Sequence, residues 1–342
     1  MPGFLVRTRA LAATVCALSS AEVRVEEGAE VLVLPSANAR AGEAARTGAR
    51  VDGVGRPTLY HFPTSLPSQQ VRLTLAEKQV AWTSEIVNTG PADQQFEPKY
   101  AELNPELEVP TFVHGDAVIT GTVQIATYID EHFEGPSLLP KEPEARAEVM
   151  RWVEFQDQFP IRELVYVRSK GLIRWFQRWS LRQRKSKLRK LASKHPQLRE
   201  LYEGKHEEIE AFEKGLRHRV ATQQLVDEVE VVLDELELTL EQRPWLAGER
   251  YTLADLSWTA VVAKLEQIGF ARSIARHRRP HIADWYARVR ERPSWASMIR
   301  RLSMGQALRF YGPAVAKTFL LVWVLKWLVI LGIGWLAAHL SG

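Results

Sequence analysis

The stretch NPELEVPTFVHGDAVITGTVQIATYIDEHF, residues 104–133, decides the fold. Residues 111–113 favour a strand, because β-branched and aromatic side chains fit a pleated surface. The turn residues at 114–116 lead into a second apolar run at 117–119, which predicts a β-hairpin. From 120 to 133 the apolar residues recur at helical spacing, so the hairpin continues directly into a helix.

A proline stands at the start of the first hairpin strand. The bond between Val109 and Pro110 is a candidate cis peptide bond, because cis is least unfavourable before proline. The backbone N–H and C=O groups beside it are expected to face the positive end of the following helix. A small carboxylate is stabilised in such a place.

The residues before this stretch predict two more strands and a helix. Residues 58–62 and 80–87 favour strands, and Ser68 is a candidate N-cap for a helix at 69–78. The resulting order is strand, helix, strand, hairpin, helix. That order is typical of a thioredoxin-like α/β domain.

The amino-acid composition of the chain narrows the partners, crosslinks and metal sites that it can have. The chain has 342 residues, of which 46% are hydrophobic and 25% charged, and its formal net charge is +4. These values indicate globular structure and do not by themselves favour nucleic acid as a partner. The single cysteine, Cys16, excludes an internal disulfide and cysteine-based zinc sites, and no metal site is predicted.

Three segments carry a family resemblance. LYHFPTSLPSQQVRLTLAEK, FEPKYAELNPELEVPTFVHGD and TVQIATYIDEHF resemble the amino-terminal domain of the glutathione S-transferase superfamily in order and spacing. Within the superfamily they are most similar to the ganglioside-induced differentiation-associated protein branch. The resemblance implies a thioredoxin-like domain at 57–136 and an all-helical domain at 137–311. Residues 1–56 have no sustained period, and they are expected to be a disordered extension, an over-long gene start or a targeting segment.

The helical half contains a basic insertion at about 162–220, which is a further mark of that branch. Residues 200–241, by contrast, are rich in Glu and Asp. Four interpretations stay open for the basic segment: a solvated helix face, a membrane-surface helix, a nucleic-acid site, or pairing with the acidic residues. Nucleic acid is disfavoured, because no known nucleic-acid-binding fold accompanies the segment. Further on, Thr252 and Asp255 have the spacing of a capping box, which indicates a structural role.

The C-terminal sequence differs in kind. Residues 318–340, TFLLVWVLKWLVILGIGWLAAHL, form an apolar run long enough to cross a bilayer as a helix. We therefore expect a transmembrane tail anchor at about 314–340. Basic residues precede the run, so the globular part is expected to face the cytosol.

The resemblance also implies a glutathione site. Ser65 would stabilise the glutathione thiolate, the backbone at Val109 and Pro110 would pair with the tripeptide, and Thr122 would bind the γ-glutamyl carboxylate. Two positions depart from the family pattern. Gly121 stands where an acid normally binds the γ-glutamyl amine, and Glu108 stands where Lys or Gln meets the glycyl carboxylate.

Two classes of function follow. The first is a membrane-anchored enzyme that adds glutathione to a hydrophobic small molecule, or reduces it, in a cleft between the domains. The second is a non-catalytic, membrane-tethered scaffold that kept the fold. Ser65, Pro110 and Thr122 favour the first, whereas Gly121 and Glu108 favour the second. A homo-oligomer is compatible with both.

Overall fold

A computed structural model describes residues 55–216, 219–298, 303–306, 308–313 and 316. The first part contains β1 (Thr58–His61), α1 (Leu66–Glu77), β2 (Thr83–Ile86), α2 (Pro98–Leu103), β3 (Thr111–His114), β4 (Ala117–Thr120) and α3 (Thr122–His132). The sheet order is β2-β1-β3-β4, with β2 parallel to β1 and the other pairs antiparallel. The prediction of a thioredoxin-like domain is therefore confirmed.

Two predicted boundaries in this domain are wrong. Helix α1 begins at Leu66, and its N-cap is Ser65 rather than Ser68. Pro67 lies in the first turn of α1, where a missing N–H has no consequence because that group is unpaired anyway. Strand β2 is shorter than the predicted 80–87, because the N–H of Val80 bonds the C=O of Leu75 and so closes the end of α1.

The second part is helical. It contains α4 (Pro143–Asp157), α5 (Ile161–Arg168), α6 (Gly171–Lys194), α7 (Arg199–Gly215), α8 (Arg219–Gln242), α9 (Leu253–Leu265), α10 (Pro280–Glu291) and α11 (Trp295–Met298). Its core is built on Trp152, Trp258 and Trp285, each fully buried. Helix α9 is buried on nearly all faces and packs against both α4 and α1.

The basic insertion is a packed element. Helices α6 and α7 pack against each other, and Lys185 forms a salt bridge of 2.7 Å with Glu213 across them. Leu181 and Tyr202 from these helices share an apolar cluster with Phe96 of the thioredoxin-like domain. Of the four interpretations, the structure supports pairing with the acidic residues.

The segment at 308–313 is helical and returns to the first domain. The ring of Phe310 packs edge-on against Phe62, 5.4 Å between centroids, and its C=O accepts a 3.3 Å hydrogen bond from Asn88 Nδ2. Within the described ranges, no helix is both long and apolar enough to cross a membrane. The predicted anchor at 314–340 lies, apart from Ala316, outside those ranges.

A buried carboxylate organises the start of α9. Asp255 accepts hydrogen bonds from the backbone N–H groups of Leu246 and Thr252, at 2.9 and 3.0 Å, and from Trp285 Nε1 at 2.9 Å. It also closes the predicted capping box with Thr252. One side chain thereby joins a loop, a helix start and α10.

We expect Asp255→Ala to lower the free energy of unfolding by roughly 3–5 kcal/mol. It leaves three buried N–H donors without an acceptor, and each such loss costs about 1–3 kcal/mol. Urea denaturation measures the effect. Thr252→Val is the matched control, because it removes one hydroxyl from the same cap and is expected to cost only about 1 kcal/mol. Equal losses for the two variants would contradict the role given to Asp255.

Candidate functional site

The strand registers bring three predicted site segments to one edge of the sheet. Tyr60 pairs with Thr111 in the antiparallel β1–β3 pair, and Thr111 pairs with Thr120 in the antiparallel β3–β4 pair. The end of β1, the start of β3 and the end of β4 therefore lie side by side. The residues that extend past these strand ends are 62–65, 109–110 and 121–122. Helices α1 and α3 both begin at this edge.

Ser65 lies between β1 and α1. Its N–H bonds the C=O of Phe62 at 3.1 Å, and its C=O accepts from Gln69 N at 3.0 Å. The hydroxyl oxygen accepts a 3.4 Å hydrogen bond from Ser68 N as the cap of α1. Because Oγ is used there as an acceptor, the hydroxyl proton is left to donate to a ligand.

The Val109–Pro110 peptide bond is cis, as the sequence predicts. No hydrogen bond to the backbone of Val109 is found in the described part of the chain. The turn before it is fixed from one side, because the C=O of Glu108 accepts from Tyr100 Oη at 2.6 Å and from Asn104 Nδ2 at 2.9 Å. The turn thus positions the backbone of Val109, a residue whose own side chain is buried in a small apolar cluster.

Tyr100 and Asn104 are positioning residues that the sequence analysis did not assign. Both also lie 2.9 Å from the hydroxyl of Thr111, the first residue of β3. Burial raises the pKa of Tyr100 to about 12. The phenol is therefore a neutral donor at any physiological pH. A Tyr and an Asn shortly before a strand-opening proline were visible in the sequence, but their common target was not.

Thr122 opens α3, with Gly121 as its N-cap. Gly121 has φ 78° and ψ 134°, a conformation that side chains rarely adopt. A Cβ built at this glycine would lie 2.2 Å from Oε1 of Gln124. The carboxamide of Gln124 therefore occupies the space next to the position where the family carries its acid. An acid at residue 121 would have to displace it.

Glu108 is paired. Its carboxylate forms a salt bridge with Lys205 of α7, which also binds Glu208 at 2.6 Å. The basic insertion thus supplies a counter-charge to the residue that the sequence analysis expected to repel a glycyl carboxylate. That repulsion is reduced by the pairing.

A cavity of about 580 Å³ lies beside this edge, between the two halves. From the thioredoxin-like half it is lined by Thr64, Leu66, Pro67, Gln70 and Thr122. Of the predicted site residues, Thr122 lines the cavity, whereas Ser65, Val109, Pro110 and Gly121 do not. The neighbours of Ser65 on both sides, Thr64 and Leu66, do line it. The far wall is mixed: Phe159, Ile161 and Val165 are apolar, and they alternate with polar and charged residues, among them Gln156, Asp157, Arg162, Glu163 and Lys264.

Two hydrogen bonds fix the width of the cavity. Gln70 Nε2 of α1 donates to Gln156 Oε1 at 2.7 Å and to the C=O of Ser257 at 3.1 Å. These groups belong to α4 and α9, so the two walls are tied together at the cavity floor. In the described ranges, no group of three or more His, Cys, Asp or Glu side chains is placed to bind a metal ion.

The fold and the site define a two-domain protein in which one edge of the sheet adjoins a cavity between the domains. The sequence matches the family models "Glutathione S-transferase, N-terminal domain" over residues 59–137 and "Glutathione S-transferase, C-terminal domain" over residues 186–293. It is 30% identical to "Glutathione S-transferase TCHQD" of Arabidopsis thaliana, across 72% of this chain and 91% of that protein. The chain belongs to the glutathione S-transferase family.

Other similar proteins come from several branches. Tetrachloro-p-hydroquinone reductive dehalogenase of Sphingobium chlorophenolicum is 29% identical, over 70% of this chain and 93% of that protein. Ganglioside-induced differentiation-associated protein 1-like 1 of Homo sapiens is 28% identical, over 68% of this chain and 71% of that protein. Among solved structures, a theta class glutathione S-transferase from Xanthomonas axonopodis pv. citri, with glutathione bound, has a TM-score of 0.53 at 22% identity. The superposition covers 72% of this chain and 99% of the transferase chain. At this identity the similarity establishes only a shared fold.

We expect Gly121→Ala to lower the free energy of unfolding by about 1–3 kcal/mol, because it forces a side chain into positive φ. Urea denaturation of the full chain measures this. Gly204→Ala is the matched control: Gly204 lies inside α7 with nothing within 4 Å of its added Cβ. Gly204→Ala should raise the free energy of unfolding by about 0.5–1 kcal/mol. An unchanged free energy of unfolding for Gly121→Ala would show that the backbone at residue 121 adopts another conformation without cost.

Proposed function

We propose that this protein is a glutathione transferase that binds glutathione along the sheet edge and joins its thiol to a hydrophobic small molecule in the cavity. The observation that carries the proposal is the meeting of Ser65, Val109 and Thr122 at one edge. Each supplies a different kind of group: a hydroxyl, a free backbone and a helix N-terminus. Together these match a small peptide that carries one thiol and two carboxylates.

Ser65 is the proposed activator of the thiol. Its oxygen accepts from Ser68 N, which leaves the hydroxyl proton free to donate to the thiolate, and the N-terminus of α1 adds positive potential. Both effects favour the thiolate over the thiol and lower the thiol pKa, which raises the fraction of nucleophile at pH 7. The thiolate then forms a C–S bond to the substrate carbon while the leaving group departs, and the thiol proton goes to solvent.

The substrate side of the proposal rests on the cavity. Its volume of about 580 Å³ and the apolar side chains of Phe159, Ile161 and Val165 in its far wall suit a drug-sized aromatic or aliphatic electrophile. One relative is by name a dehalogenase of a chlorinated hydroquinone. Halogenated aromatic compounds are therefore the first substrates to try with glutathione.

A second candidate function is a non-catalytic scaffold. It is favoured by Gly121, which offers no carboxylate to the γ-glutamyl amine, a charge-assisted contact worth about 1.5–3 kcal/mol. The carboxamide of Gln124 stands beside this position and can accept a hydrogen bond, although without a full charge. Glutathione affinity in calorimetry separates the two functions.

We further propose that residues 318–340 anchor the protein in a membrane, with the globular part on the cytosolic side. The support is the sequence alone: an apolar run of sufficient length, preceded by Arg309 and Lys317. An anchored transferase would meet hydrophobic substrates where they concentrate. An anchored scaffold would hold a partner at the same surface.

Ser65→Ala is expected to raise the pKa of the bound glutathione thiol by about 1–2 and to lower turnover at pH 7 accordingly. Because Ser65 is also an N-cap, the variant should lose about 1 kcal/mol of stability. Ultraviolet titration of the bound thiolate reports the pKa directly. Ser65→Thr keeps the hydroxyl and is the control for the cap, and Thr64→Val is the control for the cavity wall.

Two outcomes would contradict this assignment. If Ser65→Ala titrates like the wild type while Tyr60→Phe loses the thiolate signal, the phenol activates the thiol. If the wild type binds no glutathione in calorimetry, the scaffold function replaces the transferase.

The anchor has its own test. Leu328→Arg should reduce the membrane-bound fraction after carbonate extraction, because a central arginine costs about 2.5–3.5 kcal/mol on insertion scales. Lys326→Leu should increase it for the same reason. Leu328→Ile is the control for the site of substitution. A wild-type chain found entirely in the supernatant would exclude the anchor.

A further inference from the structure

The first half of α6, residues 171–182, differs from the second half in its surroundings. Among the described side chains of α6, none before Leu181 is buried, whereas Leu181, Leu188 and Ala192 are. The pairing with acidic residues involves Lys185, which also lies in the second half. The contacts with α7 therefore explain only part of the basic insertion.

The first half of α6 exposes large apolar side chains. Ile173 is 65% exposed and Trp175 is 54% exposed. The rings of Trp175 and Trp179 stack, 6.4 Å between centroids, and Phe176 packs against Trp179 at 5.6 Å. At 3.6 residues per turn, Trp175 and Trp179 lie on the side of α6 away from the buried Leu181. An exposed aromatic strip of this kind is typical of a surface that binds a partner.

Cations without acidic partners run beside the aromatic strip. Arg174, Arg178 and Arg182 are spaced four residues apart, so they form one row along the helix. All three are exposed, and no carboxylate in the described part of the chain forms a salt bridge with any of them. A row of arginines beside tryptophans is typical of a helix that lies in the headgroup region of a bilayer. There the rings reach the acyl boundary and the guanidinium groups bind phosphates.

One loop joins α6 to the segment that precedes the proposed anchor. At one end of this loop, Asn88 Nδ2 donates to the C=O of Phe310 at 3.3 Å. At its other end, Asp93 accepts from Arg184 Nε at 2.8 Å. Trp175 lies about 14 Å before Arg184 along the helix, at about 1.5 Å per residue. The aromatic strip is therefore held close to the part of the molecule from which the tail departs.

We propose that the first half of α6 binds the surface of an anionic phospholipid bilayer. Trp175 and Trp179 enter the acyl boundary, and Arg174, Arg178 and Arg182 bind lipid phosphates. Each arginine near an anionic surface strengthens binding about fivefold. A tail inserted in the same bilayer makes the contact of α6 intramolecular and so favours it further. The proposal is independent of the transferase activity, and the anchor strengthens it without being required.

The test uses the full chain with Cys16→Ser and a fluorophore on Gln183→Cys. Gln183 is exposed and follows Trp179 by one turn of α6. The protein is mixed with vesicles of phosphatidylcholine, with or without phosphatidylglycerol, whose acyl chains carry a nitroxide quencher. We expect quenching with phosphatidylglycerol and little without it. Quenching should fall at about 1 M salt, where the screening length is about 3 Å.

Affinity is measured by titrating phosphatidylglycerol vesicles into the Leu328→Arg chain, in which the proposed anchor is weakened. The α6 triple variant, Arg174→Gln with Arg178→Gln and Arg182→Gln, should weaken binding about a hundredfold. Trp175→Ala keeps the charge and should reduce the quenching at residue 183, because the ring no longer enters the bilayer. Circular dichroism checks that these variants are folded.

A control triple variant removes the same charge elsewhere. Lys141, Arg250 and Arg272 are exposed, lie outside α6 and have no salt bridge in the described ranges. Changing all three to Gln should leave the affinity for anionic vesicles within about twofold, because attraction to the surface falls off within a screening length.

Each result decides a different point. Binding of anionic vesicles by both the wild type and Leu328→Arg, lost in the α6 triple variant, would support the α6 surface even if neutral vesicles bind neither chain and the anchor fails. Co-flotation of the wild type with neutral vesicles, without quenching at residue 183 on either lipid, would keep the anchor and overturn the α6 surface. Equal loss in the two triple variants would show attraction by net charge only and overturn it as well. Tighter binding of a single-stranded oligonucleotide than of vesicles, at the same salt, would assign the arginines to nucleic acid instead.

Discussion

The position of α1 between the sheet and α9 is the constraint on which the rest of the molecule depends. Helix α1 begins at the sheet edge that carries the proposed site, with Ser65 as its N-cap. It is tied to α4 and α9 through Gln70, and it ends at Glu77. There Arg292, just past α10, makes two hydrogen bonds to the Glu77 carboxylate, at 2.8 and 2.6 Å. A shift of α1 would therefore move Ser65 and the cavity wall formed by Leu66 and Gln70 together. Such rigidity suits a site in which the proposed glutathione-binding residues lie in one half of the chain and most of the cavity wall lies in the other.

Much of the fold could be predicted because its signals are local. The proline, the hairpin and the start of α3 follow one another within residues 104–133, and each has a sequence pattern of its own. Ser65 was predicted as a site residue but not as the N-cap, because Pro67 resembles a loop residue as much as a first-turn residue. The start of β2 was mispredicted for a similar reason, since the apolar Val80 serves to close α1.

The parts that could not be predicted depend on contacts between residues distant in sequence. Glu108 alone indicates repulsion of an anion, yet Lys205, about a hundred residues later, pairs with it. Tyr100 and Asn104 are close to Glu108 in sequence, but their shared contact with its C=O depends on how the turn folds.

The packing of Phe310 on the first domain limits how the globular part can be oriented relative to a membrane. Phe310 packs on Phe62, at the end of β1, and Asn88 binds its carbonyl. From Pro313 to Thr318 the chain can extend at most about 18 Å. With residues 318–340 inserted as proposed, this tether is too short for the globular part to tumble. The surface around the segment at 308–313 would then lie near the lipid headgroups, and a lipid-soluble molecule would have only a short way from the bilayer to the protein.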